Sequence, residues 1–321
     1  MNAFAYVTAR TPESAIAAVR PDGRFLAGGI DLLGELKESL ATPKTLVNIK
    51  ALPGTTEIRS EGGKWRVGAN VTLAALAQHA EVRRLFPGLA EAAFEVGSPQ
   101  IRHVATVGGN LAQHSRCWYY RHRDVTCRKK GGTACLAREG ESKYHSLFTG
   151  CMCISPVCSN LAIALAALDA RVGVHRGRRV ESLTVAQLFE SAWKTPTDHH
   201  SLRPEDLILH VELGAPAGTR SAFLQLAEKA DFDWALVSCA AAGTVSQGVA
   251  RGVRVVLGAV APIPWMVDEA NAYLNGKPLT AEHADRAAEL ILKDARPFTG
   301  NAYKVPLARA LIRRTLLKLA A

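Results

Sequence analysis

Six of the chain's seven cysteines fall in one stretch: Cys117, Cys127, Cys135, Cys151, Cys153 and Cys158. Thiolates of this kind hold metal clusters. Just before them runs a glycine-rich turn, Thr106-Val107-Gly108-Gly109-Asn110. An earlier one, Leu26-Ala27-Gly28-Gly29-Ile30-Asp31-Leu32-Leu33, leads a strand through two glycines into a helix. Glycine lets the backbone come close to a ligand, and N–H groups at a helix start favour a phosphate. Two chemistries therefore lie side by side, one for a metal and one for a nucleotide-like cofactor.

Spacing narrows both. Nine residues separate Cys117 from Cys127, seven separate Cys127 from Cys135, and seventeen separate Cys135 from Cys153. A zinc finger or ribbon uses closely spaced pairs such as C-x-x-C, which are absent here. Wide spacing suits a cubane cluster, whose corners take ligands from separate loops. Cys151 and Cys158 are spare candidates, and Cys239, within the apolar run Ala235 to Ala242, reads as a buried structural thiol. His114, His122 and His145 would be ligands in a zinc site; on a basic loop they are expected at the surface. Neither glycine motif has the G-x-G-x-x-G spacing of a Rossmann fingerprint. Alone, each reads equally well as a tight turn, with Asn110 capping the second. Together, and with Gly97-Ser98-Pro99-Gln100-Ile101-Arg102 between them, they are more informative.

The elements that must position these residues follow from pattern. Thr11-Pro12-Glu13 starts a helix expected to reach about Arg20. Strands are expected at Phe4 to Val7, Arg24 to Ala27 and Thr45 to Ile49, with a helix from Asp31 to Leu36. A hairpin turns at Gly62-Gly63, and helices follow at Leu73 to Leu85 and Pro87 to Glu95. Residues 115–158 read as a polar, irregular insertion folded around a metal. A helix resumes at Ser159. Past Gly214-Ala215-Pro216-Ala217-Gly218 come strands and three closing helices.

The chain has 321 residues, 48% hydrophobic and 21% charged, with a net charge of +10, enough for two or three domains of a soluble protein. The start Met1-Asn2-Ala3-Phe4 has no basic n-region, and the run Leu161 to Leu168 is too short to cross a bilayer. No membrane partner and no export signal of its own are expected. The basic group Arg121, Arg123, Arg128, Lys129 and Lys130 suits a negative centre or phosphates. A nucleic-acid surface would interleave more aromatics than Trp118, Tyr119 and Tyr120, so no nucleic acid is expected.

Ala27-Gly28-Gly29-x-Asp31-Leu32-Leu33, Gln100-Ile101-Arg102 and Ala105-Thr106-x-Gly108-Gly109-Asn110-Leu111 resemble the FAD-binding, medium subunits of the xanthine dehydrogenase / molybdenum hydroxylase family. Pro204 to Ile208, Ala235 to Ser238 and Leu257 to Pro262 agree, so the resemblance covers nearly the whole chain. It implies an α+β fold. A two-part FAD domain of the vanillyl-alcohol-oxidase type would span 1–216, as subdomains of about 1–52 and 53–216, with an iron–sulfur insertion at 115–158. A C-terminal α/β domain like that of carbon monoxide dehydrogenase flavoproteins would span 217–321. The first loop, Phe25, Leu26, Ala27, Gly28, Gly29, Ile30, Asp31, Leu32 and Leu33, would hold the FAD pyrophosphate. Gly97, Ala105, Thr106, Gly109 and Asn110 would complete the phosphate and ribose contacts. Ser159 and Asn160 match a Ser-Asp pair near FAD, and Leu207 and Ile208 match apolar contacts. Ile30 stands where threonine is usual, Asn160 where aspartate is, and Gln225 where a lysine often approaches the flavin.

Two branches of the family carry the cysteine insertion and bind a [4Fe–4S] cluster there: periplasmic aldehyde oxidoreductases and 4-hydroxybenzoyl-CoA reductase. The reductase branch would place its fourth cysteine at Tyr144, the aldehyde branch at Cys153. The resemblance thus implies Cys117, Cys127, Cys135 and Cys153 as ligands, in an aldehyde-type electron-transfer subunit with no catalytic acid or base of its own. Implied partners are a molybdopterin-binding large subunit, a small [2Fe–2S] subunit and an external electron acceptor. The location would be cytoplasmic, or periplasmic by co-export on a partner's twin-arginine signal. Two alternatives stand beside this: a benzoyl-CoA-type reductase subunit, and a zinc-stabilised nucleic-acid-binding protein.

Overall fold

The structure is a computed structural model, and it describes residues 1–214, 217–229 and 232–321. The first unit holds strands β1 (Ala5–Thr8), β2 (Gly23–Leu26) and β3 (Thr45–Asn48), with helices Pro12–Val19 and Leu32–Lys37 between them. The three strands are parallel in the order β1-β3-β2. Thr11 and Ser14 form a reciprocal capping box, and Pro12 fixes the first helical position. A small core of Ala15, Val19, Val47, Ile49 and Leu52 closes against Leu207 of the next unit.

The second unit is an antiparallel sheet of β4 (Ile58–Glu61), β5 (Lys64–Gly68), β6 (Arg171–Arg176), β7 (Arg179–Thr184) and β8 (Leu207–Gly214), in the order β4-β5-β8-β6-β7. The β4–β5 hairpin turns on Gly62 and Gly63, at φ 58° and 76°, as its two-residue loop requires. The single helix expected over Leu73 to Leu85 is two, Leu73–Gln78 and Ala80–Leu85. His79 is extended between them, and its Nδ1 accepts from the N–H of Val82 at 3.4 Å. These helices, with Pro87–Phe94 and Asn160–Ala167, cover the sheet in one apolar core that also takes in Phe223, Ala240 and Val256.

The third unit holds β9 (Thr219–Leu226), β10 (Val237–Ser246), β11 (Val249–Gly258) and β12 (Trp265–Met266), antiparallel in the order β12-β11-β10-β9. Helices Asp268–Leu274, Ala281–Leu292 and Lys304–Ala320 pack on it. Cys239 is fully buried in this core. Of the residues at the expected 216/217 boundary, Ala215 and Pro216 lie outside the described residues.

Residues 115–158 contain only the helix Trp118–Arg121 and a 3-10 turn, Arg128–Lys130. The insertion nevertheless has apolar anchors, which its polar character hid. Leu147 and Phe148 are buried in the core of the third unit. The N–H groups of both donate to the Val260 carbonyl, and Phe148 stacks on Trp265 at 3.9 Å. Burial of two such side chains contributes about 1.5–3 kcal/mol each.

Candidate functional site

The first glycine loop leaves β2 at Leu26 and enters the helix Leu32–Lys37. A Cβ on Gly28 would lie 2.1 Å from the Val104 carbonyl oxygen, and Gly29 sits at φ +77°. Only glycine suits both positions. Among the described residues, no acceptor is bonded to the N–H groups of Gly28, Gly29, Ile30 or Asp31. The second motif is a short helix, Val107–Leu111, where a turn was expected. Its amides are spent inside the protein: Gly108 donates to Ala69 at 2.8 Å and Gly109 to the Thr106 hydroxyl at 3.1 Å.

Both motifs line one cavity of about 570 Å³. Of the expected cofactor residues, Phe25, Ala27, Gly28, Gly29, Ile30, Asp31, Leu32, Gly97, Ala105, Thr106, Gly109, Asn110, Asn160, Leu207 and Ile208 line it. Leu26, Leu33 and Ser159 do not. Leu33 packs its side chain over Gly29 and is exposed. Ser159 caps the helix Asn160–Ala167 and donates to Asn110 Oδ1 at 2.7 Å, fixing that side chain from outside the cavity. Asn160 donates to Gln225 Oε1 at 2.9 Å, and Gln225 donates to Glu95 at 3.0 Å.

Sequence reasoning missed much of the remaining wall: Asn70, His114, Arg116, His200, Arg203, Phe232 and Trp234. Arg116 stacks its guanidinium on Trp234 at 4.7 Å. Asn70 is buried at the end of β5, donates to Ile49 and Thr55, and leaves Oδ1 without a partner. A polar amide between Val67 and Val71 was the available signal.

Asp31 and Glu35 join the first loop to the cysteine segment. The Asp31 carboxylate accepts from Arg121 at 2.6 Å and from the N–H of His114 at 2.7 Å, and pairs with Arg116 at 2.8 Å. Glu35 is 3% exposed and bonds His114 Nδ1 and the Tyr120 hydroxyl, each at 2.9 Å. Burial pushes Glu35 up. The bond with His114, the charges of His114 and Arg121 and the Tyr120 hydroxyl outweigh it and hold the carboxyl below its ordinary value. His114 stacks on His199 at 4.0 Å, and burial pushes His200 down to about 4.

Cys117, Cys127, Cys135 and Cys153 line a second, smaller cavity with Arg128, Lys129 and Ser155. Cys117 precedes the helix Trp118–Arg121, and Cys127 precedes the 3-10 turn. The Cys127 carbonyl accepts from the N–H groups of Lys130 and Gly132, so the glycine pair folds the chain back toward Cys135. Lys129 is buried beside them, its Nζ 2.7 Å from the Asp198 carbonyl. The interaction of Cys135 with Cys153 lowers the first thiol and, with burial, raises the second. Burial pushes Cys117 up to about 11.

Cys151 points its thiol at the Cys153 carbonyl, 3.1 Å away, and Cys158 lines the larger cavity instead. Tyr144 packs edge-on against Trp118, apart from the four thiols. Among the described residues, the only three Cys, His, Asp or Glu ligand atoms within 4.8 Å of one another are those of Asp31, Glu35 and His114, whose two carboxylates are already paired with arginines. No three of the cysteine sulfurs among the described residues lie within 4.8 Å of one another, a wider spread than the close tetrahedron of a zinc site. The expectation of surface histidines fails at His145, which is 4% exposed and places Nε2 3.2 Å from Cys117 Sγ. His122 is exposed as expected.

The fold and the paired-glycine cavity define a flavoprotein of mixed α and β structure. The family described as the FAD binding domain in molybdopterin dehydrogenase matches residues 2–216, and the CO dehydrogenase flavoprotein C-terminal domain matches residues 221–319. The chain belongs to the FAD-binding, medium subunits of the xanthine dehydrogenase / molybdenum hydroxylase family, which are subunits of oxidoreductases. It is 34% identical to the aldehyde oxidoreductase FAD-binding subunit PaoB of Escherichia coli (strain K12), over 98% of each chain. It is 27% identical to the carbon monoxide dehydrogenase medium chain of Hydrogenophaga pseudoflava, over 92% of this chain and 88% of that one. Among solved structures, quinoline 2-oxidoreductase from Pseudomonas putida 86 shares the fold with a TM-score of 0.76 at 24% identity, covering 99% of this chain and 97% of that one.

Proposed function

We propose that this chain is the FAD- and [4Fe–4S]-carrying electron-transfer subunit of a molybdenum-containing aldehyde oxidoreductase. It would act with a molybdopterin-binding large subunit and a small [2Fe–2S] subunit, and pass electrons to an external acceptor. The observation that carries this reading is the second cavity. Four cysteines, widely spaced in sequence, line one small cavity in a chain that also forms a cavity of about 570 Å³ at its paired-glycine loops.

The residues fit both groups. At the first loop, Gly28, Gly29, Ile30 and Asp31 line the cavity with N–H groups that have no partner among the described residues, and Gly28 lets the loop pack against the Val104 carbonyl. These N–H groups would take the pyrophosphate. Thr106, Asn110 and Asn160 supply polar contacts, and Leu207 and Ile208 an apolar wall. A bound flavin accepts and releases one or two electrons, which links an electron pair from an aldehyde to single-electron iron–sulfur carriers. Gln225 offers an amide where an ammonium would favour a reduced, anionic ring. Its bonds to Asn160 and Glu95 hold it in place. Around the thiols, buried Lys129 and nearby Arg128 offset the negative charge of a thiolate-bound cluster. No side chain here is needed as acid or base on the aldehyde.

The test is to isolate the complex anaerobically. A flavin band near roughly 450 nm and about four iron atoms per flavin assigned to this chain are expected. Cys153→Ser should lose that iron, whereas Cys151→Ser and Cys158→Ser should keep it. A colourless chain, or iron that survives Cys153→Ser and is lost with Cys151→Ser, overturns the reading.

A further inference from the structure

His145 is the buried polar side chain left without a role by the two cofactor sites. Its Nε2 lies 3.2 Å from Cys117 Sγ, while Nδ1 is buried with no hydrogen-bond partner. The thiol is thus the ring's one bonded neighbour among the described residues. The C-terminal domain grips this residue's backbone. The His145 carbonyl accepts from Lys304 Nζ at 2.9 Å and from Asn301 Nδ2 at 3.2 Å. Asn301 also donates to the Ser146 carbonyl at 3.0 Å. Lys304 and Asn301 are both fully buried. Lys304 donates to a second carbonyl, that of Ala259, at 2.6 Å, and no carboxylate pairs with it among the described residues. A fully buried lysine spent on two backbone carbonyls is a costly anchor, and it is aimed at one residue of the insertion.

We propose that His145 donates its Nε2–H to the Cys117 thiolate of the cluster, and that Lys304 and Asn301 are positioning residues which hold it there. The proposal rests on the four-cysteine reading above. A cluster-bound thiolate accepts and never donates, so the nitrogen facing it must carry the proton. Hydrogen bonds to ligand sulfur withdraw electron density and raise the cluster's potential. The C-terminal domain would thereby set a property of a cluster to which it gives no ligand.

The experiment uses the whole complex, with its histidines labelled with ¹⁵N and the cluster reduced. Pulsed EPR should show a ¹⁵N coupling to the four-iron cluster, lost in His145→Gln and weakened in Lys304→Met. Potentiometric titration should show His145→Phe making the cluster harder to reduce. The expected change in the reduction equilibrium is about tenfold, which for a one-electron couple is about 59 mV. His145→Gln, which keeps an N–H donor, should recover part of that shift. A native complex that holds the cluster but shows no histidine coupling overturns this proposal alone. Equal potentials in the native protein and His145→Phe do so too. Where His145→Phe fails to retain iron, the native coupling decides by itself. A native complex with no four-iron cluster overturns this proposal together with the reading beneath it.

Discussion

The two cavities differ in how they are built. The larger one draws its walls from segments spread from Arg24 to Ala235, each fixed by a sheet or a helix with its own apolar core. The smaller one is lined almost wholly by a single stretch, from Cys117 to Ser155, with one short helix, one 3-10 turn and no core of its own. The first is shaped by folding before any ligand arrives. The second borrows rigidity from Leu147 and Phe148 in the C-terminal core, and on the proposed reading a bound cluster would add to it. The flavin site should therefore outlast loss of the cluster, while the insertion should not keep its form without it.

Removing a ligand breaks the comparison most directly. Cys117→Ser or Cys153→Ser should lower bound iron more than tenfold, because a cubane short of a thiolate is poorly held. Flavin content should fall less than twofold. Limited proteolysis should then cut within 122–141, where the insertion has least support. Equal loss of flavin and iron would mean that the larger cavity is not independently formed.

The reverse test acts on the glycine loop. Gly28→Ala forces a Cβ to within 2.1 Å of the Val104 carbonyl, so the loop or the helix Pro99–Val104 must move. A cost of about 1–3 kcal/mol is expected, with flavin lost on gel filtration and iron retained. Gly34→Ala, with nothing within 4 Å of its added Cβ, should be neutral or slightly stabilising by contrast. Thermal melts and the ratio of flavin absorbance to protein check both. Full flavin retention by Gly28→Ala would remove the loop from the cofactor's grip.

Much of this was legible in the sequence, because local chemistry decides it. The strand-to-helix glycine loop, the Thr11 and Ser159 caps and the Gly62-Gly63 hairpin appear where pattern put them. The four cysteines implied by resemblance line one small cavity, while Cys151 points its thiol at the Cys153 carbonyl and Cys158 lines the larger cavity. What was hidden is tertiary. Gly108-Gly109 read as a turn, yet it is helical, capped by the Thr106 hydroxyl, and Gly108 lies so close to Ala69 that a Cβ there would come within 3.0 Å of the alanine's own. Asp31 read as a cofactor contact and does line the larger cavity, but nothing in its motif signalled that its carboxylate also bonds residues from His114 to Arg121. His145 read as a surface residue, and it is buried because Leu147 and Phe148, two and three positions on, draw the segment into another domain. No local pattern encodes a partner 80 or 150 residues away.

The Asp31 contacts sharpen the comparison, since they tie the wall of the larger cavity to the first residues of the cysteine segment. Asp31→Ala leaves Arg116 without its carboxylate and Arg121 with only the more distant Glu35, at 3.7 Å. Lost bonds to charged groups of this kind cost about 1.5–3 kcal/mol. Unlike the preceding changes, this one should weaken flavin and iron retention together, and Arg121→Met should reproduce most of it. A double-mutant cycle in urea melts should show the two changes to be strongly non-additive. Additive losses would mean that the ion pair does not join the sites.

The smallest effect is a pH dependence at Glu35, the second carboxylate of that junction. Its folded-state pKa lies below the ordinary value of 4.5, so folding favours the ionised form. The resulting stabilisation is complete above pH 4.5 and is lost as pH falls through the folded value. Protonation costs the carboxylate its charge toward His114 and Arg121. Glu35→Gln cannot titrate, so its stability should decline less steeply in acid, although it is less stable at neutral pH. Urea melts of the two proteins should therefore converge as pH falls from about 6 to about 3, through the window below 4.5. Parallel curves would show that Glu35 is no more acidic in the folded chain than in the unfolded one, and that the junction is held by Asp31 alone.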